Sequence, residues 1–320
     1  MFDNKNCTMS SIFATARIYA LFSIVSAHLL FPDTLEYTIL NRFGTIGVVM
    51  FLIMSGYFFR PEKFSTIGAL LRKKFITVCV PWFFMGTLTW VYKAILTPTY
   101  RTVLQYISWI FGHGSYLYYM PVLMLCFIVM YKAPKFLRYS AIALKVFSII
   151  LTAAGVLTLP LGNNLNPFNW LGFFALGMLL QSADEETIVD FLIKYRFYIM
   201  ALFAVAFTAL VLFPDVPADY FSFVAIPYEL LGAAAFFSLS TFVLKSSVFK
   251  LISNYSFSIY LGHMIFVGLF DGVMSHFAAT RLLAPTVIIA ATAAVLFAAS
   301  FVAEKIKLGK FLSLLTGIRK

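Results

Sequence analysis

The feature that most constrains this chain is a run of twenty mainly apolar residues, 12–31, that carries two ionisable side chains. It reads IFATARIYALFSIVSAHLLF and is long enough to cross the hydrocarbon core of a bilayer as a helix. Arg17 and His28 lie within it. Because a charge inside a membrane segment is costly, such a side chain usually faces a protein interior or a wet cavity. The run therefore predicts a membrane helix with a polar face turned towards protein or water.

The spacing of Arg17 and His28 places both on one face of this helix if the helix is continuous. A separation of eleven residues at ~100° per residue returns to nearly the same direction, about 16 Å further along the axis. A second interpretation needs no shared site. Arg17 could extend to the cytoplasmic interface by snorkelling while His28 sits at the outer one. The pair alone leaves both interpretations open.

The composition of the whole chain excludes an ordinary soluble domain, because 62% of its 320 residues are hydrophobic and only 12% are charged. We predict an all-α, polytopic membrane protein with about ten transmembrane helices in a single domain, residues 1–320. The expected spans lie near residues 12–31, 43–59, 76–96, 116–131, 137–159, 168–181, 197–213, 221–244, 255–275 and 283–303.

The net charge of +11 could suggest a nucleic-acid partner, but its distribution favours a topological role. Alternate predicted loops, together with both termini, carry 18 of the Lys and Arg residues, and the opposite loops carry 4. By the positive-inside rule this bias predicts that the N- and C-termini are cytoplasmic. We therefore expect membrane lipids and no nucleic acid around this protein. The three cysteines are scattered and predict neither disulfides nor a metal site.

Two further segments near the N-terminal half combine packing features with possible chemistry. The second span reads VVMFLIMSGYFF, in which Ser55 and Gly56 allow another helix to approach closely. The third is preceded by Arg72, Lys73 and Lys74 in LLRKKFITVCVPWFF. These cations suit a cytoplasmic topology anchor, and they also suit a phosphate-rich ligand.

Later polar residues are also open to more than one interpretation. In ISNYSFSIYLGHMIFV, Ser256, Tyr260 and His263 follow i, i+4 and i+7 spacing and share one helix face. They could form hydrogen bonds between helices or line a site. Glu229 is a carboxylate inside a predicted span, either functional or paired with a buried cation. His113 in GHGSYLYYMPVLML is expected in a solvated loop, as are the acidic residues of 184–190.

Taken in order, these motifs resemble the acyltransferase-3 family of integral membrane acyltransferases over essentially the whole chain. The resemblance includes the Arg, ten residues, His pattern of the first helix, the Ser-Gly pair, and the basic run that leads to Pro81-Trp82. It extends to the aromatic segment before Pro121, the 252–267 segment and the terminal FVAEKIK. Two departures stand out: Val78 replaces a common Arg, and Tyr118 or Tyr119 stands where Trp is usual.

The resemblance implies transfer of an acyl group, most often acetyl, from cytoplasmic acyl-CoA to a hydroxyl of a carbohydrate or another surface or lipid-linked acceptor. It implies a bacterial inner-membrane enzyme without a metal. His28 would be the general base or an acyl relay. The phosphates of CoA would be held by Arg17, Arg72, Lys73 and Lys74, and the candidates to stabilise the oxyanion are Ser55, Tyr260 and His263.

Two other classes compete with this interpretation. Intramembrane Arg, His and Glu also suit a proton-coupled transporter or an exporter of a polysaccharide or small solute. A structural partner in a biosynthetic complex would use the same residues only for packing. An acyltransferase would release thiol from acyl-CoA, whereas neither a transporter nor a structural partner would. The acceptor, the acyl group and the oligomeric state are left open by the sequence.

Overall fold

The computed structural model describes residues 7–29, 34–96, 102–133, 140–157, 164–216, 224–242, 247–274 and 281–318, and in these ranges every regular element is a helix. The all-α prediction is therefore confirmed. The α-helices are α1 Met9–Ser26, α2 Leu35–Gly44, α3 Ile46–Tyr57, α4 Ile67–Lys74, α5 Val80–Leu96, α6 Val103–Ile110, α7 Tyr119–Lys132, α8 Ala141–Leu157, α9 Phe168–Ser182, α10 Glu185–Leu212, α11 Ala225–Leu239, α12 Ser247–Met274, α13 Ala284–Lys305 and α14 Gly309–Thr316.

Five helical segments within the described ranges are long and apolar enough to cross a membrane: Met9–Ser26, Leu35–Tyr57, Ile67–Leu96, Glu185–Leu212 and Ala284–Lys305. Shorter apolar helices cover Tyr116–Lys132, Lys145–Ala154 and Ala225–Leu239. This pattern agrees with a membrane protein. Several predicted span ends lie outside the described residues, as do seven of the basic residues used for the topology: Lys5, Arg101, Lys135, Arg138, Lys245, Arg319 and Lys320.

Helix α1 is the central element of the fold. It contacts α2, α3, α11, α12 and α13. Buried side chains such as Ile12, Phe13 and Val25 point in different directions around its axis instead of forming one stripe. A helix that is apolar all round is packed on all sides, and α1 fits this description. The first span is therefore buried in protein along much of its length.

The first span ends earlier than predicted, at Ser26 instead of residue 31. The chain continues for one tight turn, in which the amide of His28 donates to the carbonyl of Val25 at 3.1 Å. Pro32 has no N–H with which a continuing helix could bond the carbonyl of His28. Arg17 and His28 therefore do not share one continuous helix, although the turn keeps His28 directly beyond the end of α1.

The second span begins at Leu35, eight residues before its predicted start at residue 43, and is broken in the middle. Helices α2 and α3 meet at Thr45. The hydroxyl of Ser23 donates to the carbonyl of Phe43 and accepts the amide of Gly47 at 2.7 Å. A Cβ at Gly47 would lie 2.4 Å from the carbonyl oxygen of Ala20. A side chain of α1 thus supports the break, and glycine permits the close crossing beside it.

The third span also differs from its prediction of 76–96. Helix α4 is joined to α5 by a π-helical turn, Phe75–Cys79, in which the amide of Val80 donates to the carbonyl of Phe75. Pro81 follows immediately and cannot donate to the carbonyl of Thr77, which its ring would also crowd. The wider turn accommodates this proline and keeps the basic residues of α4 continuous with the span.

The acidic segment predicted as a solvated loop is the beginning of helix α10. Asp184 caps the helix, and its carboxylate accepts from the amide and hydroxyl of Thr187 at 2.9 and 2.7 Å. These hydrogen bonds lower the pKa of the Asp184 carboxyl below its usual value. The carboxylate of Glu185 accepts the amide of Met9 at 2.9 Å. This contact joins the first turns of α1 and α10.

The interpretation of Gly56 as a packing residue is confirmed. A Cβ built at Gly56 of α3 would lie 2.0 Å from the carbonyl oxygen of Phe174, and one at Gly177 of α9 would lie 2.0 Å from that of Ile53. The two glycines therefore form a reciprocal backbone contact between α3 and α9. Small residues at such crossings favour helix association in membranes because dispersion contacts need close approach.

Replacing Gly56 by Ala should lower the stability of the protein by about 1–3 kcal/mol or more, since a backbone carbonyl blocks the added methyl group. The matched change Gly68→Ala on exposed α4 adds a methyl whose nearest neighbour is 3.7 Å away, so it should be neutral or stabilising by up to about 1 kcal/mol. Thermal unfolding of both variants in detergent measures the difference. Equal stability of the two would contradict the crossing.

Candidate active site

Two cavities adjoin a single side chain, that of Tyr260 on α12. The first has a volume of about 480 Å³ and is called here the histidine cavity; His28, Lys93, Trp109, Ser115, Tyr116, Tyr118, Asn164, Tyr260 and Met264 are among its lining residues. The second, about 300 Å³, is called the arginine cavity; its lining includes Arg17, Phe51, Ser55, Phe58, Lys74, Tyr119, Phe127, Ser256 and Tyr260. Tyr260 therefore lies between the two spaces.

The two histidines predicted from separate helices lie next to each other. The ring centroids of His28 and His263 are 5.2 Å apart, and the ring of Tyr116 is 6.1 Å from the first and 5.2 Å from the second. His28 comes from the turn after α1, and His263 from the middle of α12. Because α1 packs on α12, one helix contact brings together two histidines that have 234 residues between them in the sequence.

His263 is fully buried, and its protonation pattern follows from one hydrogen bond. Its Nδ1 lies 2.6 Å from the carbonyl oxygen of Tyr260. A carbonyl only accepts, so Nδ1 carries the proton, and in the neutral ring Nε2 has the lone pair. Nε2 has no hydrogen-bond partner among the described residues. The ring can therefore accept a proton or a hydrogen bond at Nε2.

Tyr116 and Tyr260 hold the site together through a reciprocal pair of hydrogen bonds. The hydroxyl of Tyr260 donates to the carbonyl of Tyr116 at 2.7 Å, and the hydroxyl of Tyr116 donates to the carbonyl of Leu261 at 2.6 Å. One residue lies on α12 and the other in the short 3-10 turn Tyr116–Tyr118. The pair thus fixes α12 against the turn beside His28.

These bonds differ from the expectation that Tyr260 and His263 both donate to an oxyanion. The single hydroxyl proton of Tyr260 and the Nδ1 proton of His263 are already directed at backbone carbonyls. Ser55 keeps more freedom, because its Oγ lies 3.4 Å from the hydroxyl of Tyr119, where either group can donate. In this arrangement the donors of Tyr260 and His263 are both engaged, whereas the hydroxyl of Ser55 can donate or accept.

Arg17 and Lys74 meet in the arginine cavity, although 57 residues separate them in the sequence. The guanidinium of Arg17 lies 5.6 Å from the ring centroid of Phe58, and Nζ of Lys74 lies 3.5 Å from that of Phe127. Aromatic faces stabilise cations placed above them. The described residues that line this cavity include no Asp or Glu, so they present positive charge to a ligand.

The other two cations of the basic run are placed differently. Arg72 and Lys73 are exposed on α4 and do not line the arginine cavity, and Nζ of Lys73 lies 5.5 Å from the ring centroid of Phe64. Of the run, Lys74 alone joins Arg17 in this cavity. His113 is exposed in the turn after α6, as expected for a solvated loop residue.

Three residues of the histidine cavity were not predicted as site residues from the sequence: Lys93, Trp109 and Tyr116. Lys93 was predicted only to be a cation on the outer side of the membrane. Its position inside a predicted span indicates, however, that it could face a cavity. Nζ of Lys93 lies 4.5 Å from the ring centroid of Trp109. Trp109 and Tyr116 are buried aromatic residues, and only the packing of the helices brings them to the wall of the cavity.

Glu229 belongs to neither cavity. It is 1% exposed on α11, and its Oε1 has no hydrogen-bond partner among the described residues. No group of three or more His, Cys, Asp or Glu residues that could hold a metal occurs within the described ranges. Apart from tyrosines, the ionisable side chains among the described residues that line the two cavities are Arg17, Lys74, Lys93 and His28.

Tyr260→Phe and Tyr116→Phe should each lower stability by about 1 kcal/mol, because each removes a buried hydrogen bond between α12 and the turn. The matched change Tyr198→Phe removes a hydroxyl from an exposed ring on α10 and should have almost no effect. Chemical unfolding of the purified variants gives the comparison. A wild-type stability for both buried variants would mean that the reciprocal pair does not hold α12 in place.

One comparison with known proteins gives a match. The model of a family described as an acyltransferase domain covers residues 13–304, which include both cavities' lining residues. No curated protein and no solved structure matches the chain.

Proposed function

We propose the following function for this chain, which belongs to the acyltransferase-3 family of membrane acyltransferases. The protein moves an acyl group, most often acetyl in this family, from acyl-CoA to a hydroxyl of a carbohydrate or another surface or lipid-linked acceptor. The observation that carries the proposal is the pair of cavities that adjoin Tyr260, one with Arg17 and Lys74 and the other with His28.

The proposed orientation assigns each cavity to one side of a bacterial inner membrane with about ten spans. The excess of Lys and Arg on one set of loops supports cytoplasmic termini. Helix α1 then runs outwards, so Arg17 lies nearer the cytoplasm than His28. The arginine cavity would open towards the cytoplasm, where acyl-CoA is made, and the histidine cavity towards the acceptor.

The donor site is proposed in the arginine cavity. CoA carries several phosphate groups, and phosphates are bound by Arg through its planar fork and by Lys as a point charge. Arg17 and Lys74 offer both in a cavity whose lining has no acidic side chain. Arg72 and Lys73, exposed on neighbouring α4, would attract the ligand from solution. The thioester would reach towards Tyr260, beyond which His28 lies.

The proposed chemistry is a transfer of one acyl group assisted by one base. The acceptor hydroxyl adds to the thioester carbonyl while its proton passes to His28, a side chain suited to this exchange near neutral pH. The tetrahedral intermediate then expels the CoA sulfur, which takes the proton from the imidazolium. Ser55 is the proposed donor to the oxyanion. The products are an ester and free CoA.

A two-step route uses the same residues. His28 could attack the thioester itself, form an acyl-imidazole, release CoA, and then pass the acyl group to the hydroxyl. In either route His263 would orient His28 or share its proton, because its Nε2 is an acceptor when the ring is neutral and the two rings are 5.2 Å apart. His263 is therefore proposed as a positioning residue.

His28→Ala should abolish thiol release from acetyl-CoA, a loss of about 100-fold or more, because the transfer loses its base or relay. His113→Ala removes an exposed histidine outside both cavities and should leave the rate unchanged. Purified protein in nanodiscs with labelled acetyl-CoA and a membrane extract as acceptor source provides the measurement. A wild-type rate in His28→Ala would remove this residue from the mechanism, and a transporter would release no thiol in either protein.

Loss of Arg17 and Lys74 together should weaken CoA binding by about tenfold or more, because two charge-assisted contacts to phosphate are removed. The double change Arg72→Ala/Lys73→Ala removes the same charge from the exposed surface and should have a smaller effect that disappears at high salt. Calorimetric titration with CoA compares the two pairs. Equal effects would show that the cavity is not the phosphate site.

A further inference from the structure

Lys93 is the one cation among the described residues that line the histidine cavity. It lies near the outer end of α5, is half-buried, and places Nζ 4.5 Å from the ring centroid of Trp109. The proposed reaction uses His28 in this cavity but gives Lys93 no part. A half-buried ammonium group in a membrane protein carries a desolvation cost, so its retention calls for a charge partner or a ligand.

The described part of the chain supplies no acidic partner for Lys93. The described residues that line the histidine cavity include no Asp or Glu. Arg281 and Glu36 form an ion pair, at 4.0 Å, that does not involve Lys93. The ring of Trp109 stabilises the ammonium group only partly, since a cation–π contact does not neutralise the charge. The positive charge of Lys93 therefore faces a cavity with room for an anion.

The dimensions and walls of this cavity suit a sugar ring. About 480 Å³ is within the range of small-molecule sites, and such sites combine aromatic walls with a few placed polar groups. Trp109, Tyr116 and Tyr118 supply the aromatic walls, while Ser115 and Asn164 add polar atoms. His28 lines the same space, so a hydroxyl at His28 and an anion at Lys93 can belong to one molecule.

We propose that the acceptor carries an oxyanion, a carboxylate or a phosphate, which Lys93 binds beside the ring of Trp109. The acceptor class is then an acidic or phosphorylated carbohydrate instead of a neutral one. This inference rests on the proposed function for the identity of the bound molecule as acceptor. The anion site itself depends only on the cavity and on Lys93.

The test measures binding, so it does not require turnover. Protein in nanodiscs of neutral lipid is titrated with methyl glucuronide, with glucose 6-phosphate and with the neutral methyl glucoside, at constant ionic strength. Tryptophan emission reports binding, because the anion would lie beside the Lys93–Trp109 contact. Comparison of the glucuronide with glucose 6-phosphate shows whether the bound oxyanion is a carboxylate or a phosphate. We expect at least one of them to bind more tightly than the glucoside.

Lys93→Met keeps the length of the side chain without its charge and should weaken binding of the preferred anionic probe by about tenfold. Lys93→Arg should retain binding. Lys132→Met is the matched control, since it removes an exposed charge at the end of α7, outside both cavities, and should behave like the wild type. The absence of any preference for the anionic probes, or an unchanged preference in Lys93→Met, would overturn the proposal.

CoA titration of the same samples separates this inference from the proposed function. Normal CoA binding in Lys93→Met shows that the variant is folded and that the donor site is intact. An anion preference that depends on Lys93 in a protein that neither binds nor cleaves acyl-CoA would support the anion site and refute the transferase. CoA turnover without any anion preference would support the transferase and refute the anion site.

Discussion

The cost of holding charged and polar groups away from water governs the arrangement of this protein. Helix α1 is surrounded by other helices, yet it carries Arg17 and ends beside His28. Both side chains reach cavities instead of lipid or packed core. In surroundings that do not solvate them, such groups are tolerated where they meet partners or enclosed polar space. The two cavities on either side of Tyr260 satisfy this requirement.

Hydrogen bonds between elements also hold the backbone groups of this protein in place. Ser23 bonds both sides of the break between α2 and α3, and the reciprocal bonds of Tyr116 and Tyr260 join a helix to a turn. Helices in a membrane gain little from the hydrophobic effect against one another, so hydrogen bonds and close contact matter more. Gly56 and Gly177 provide that contact where α3 crosses α9. The position of the site follows from these crossings.

In the proposed reaction, each of the two charged cavities would bind one of the two substrates. Arg17 and Lys74 lie on one side of Tyr260, and His28 and Lys93 lie on the other. Since no carboxylate occurs among the described residues of either lining, both spaces favour anionic ligands. A donor rich in phosphate and an acidic acceptor would meet at an uncharged aromatic side chain. Family membership supports acyl transfer between them, whereas transport would require no separate sites for two substrates.

The sequence by itself determined the helical class, the membrane character and the family, and it singled out Arg17, His28 and His263 as candidate site residues. These follow from apolar length, from the cost of charge in lipid and from residue order, all of which are local properties of the chain. Sequence spacing could not show that α1 ends at Ser26, because the end of a helix depends on the turn and packing around it. The tertiary structure alone brought Lys74 to Arg17, left Arg72 and Lys73 outside, and set Lys93 against Trp109. Each of these depends on which helices cross and at what depth, and contacts between distant residues of the chain are fixed only when those helices pack.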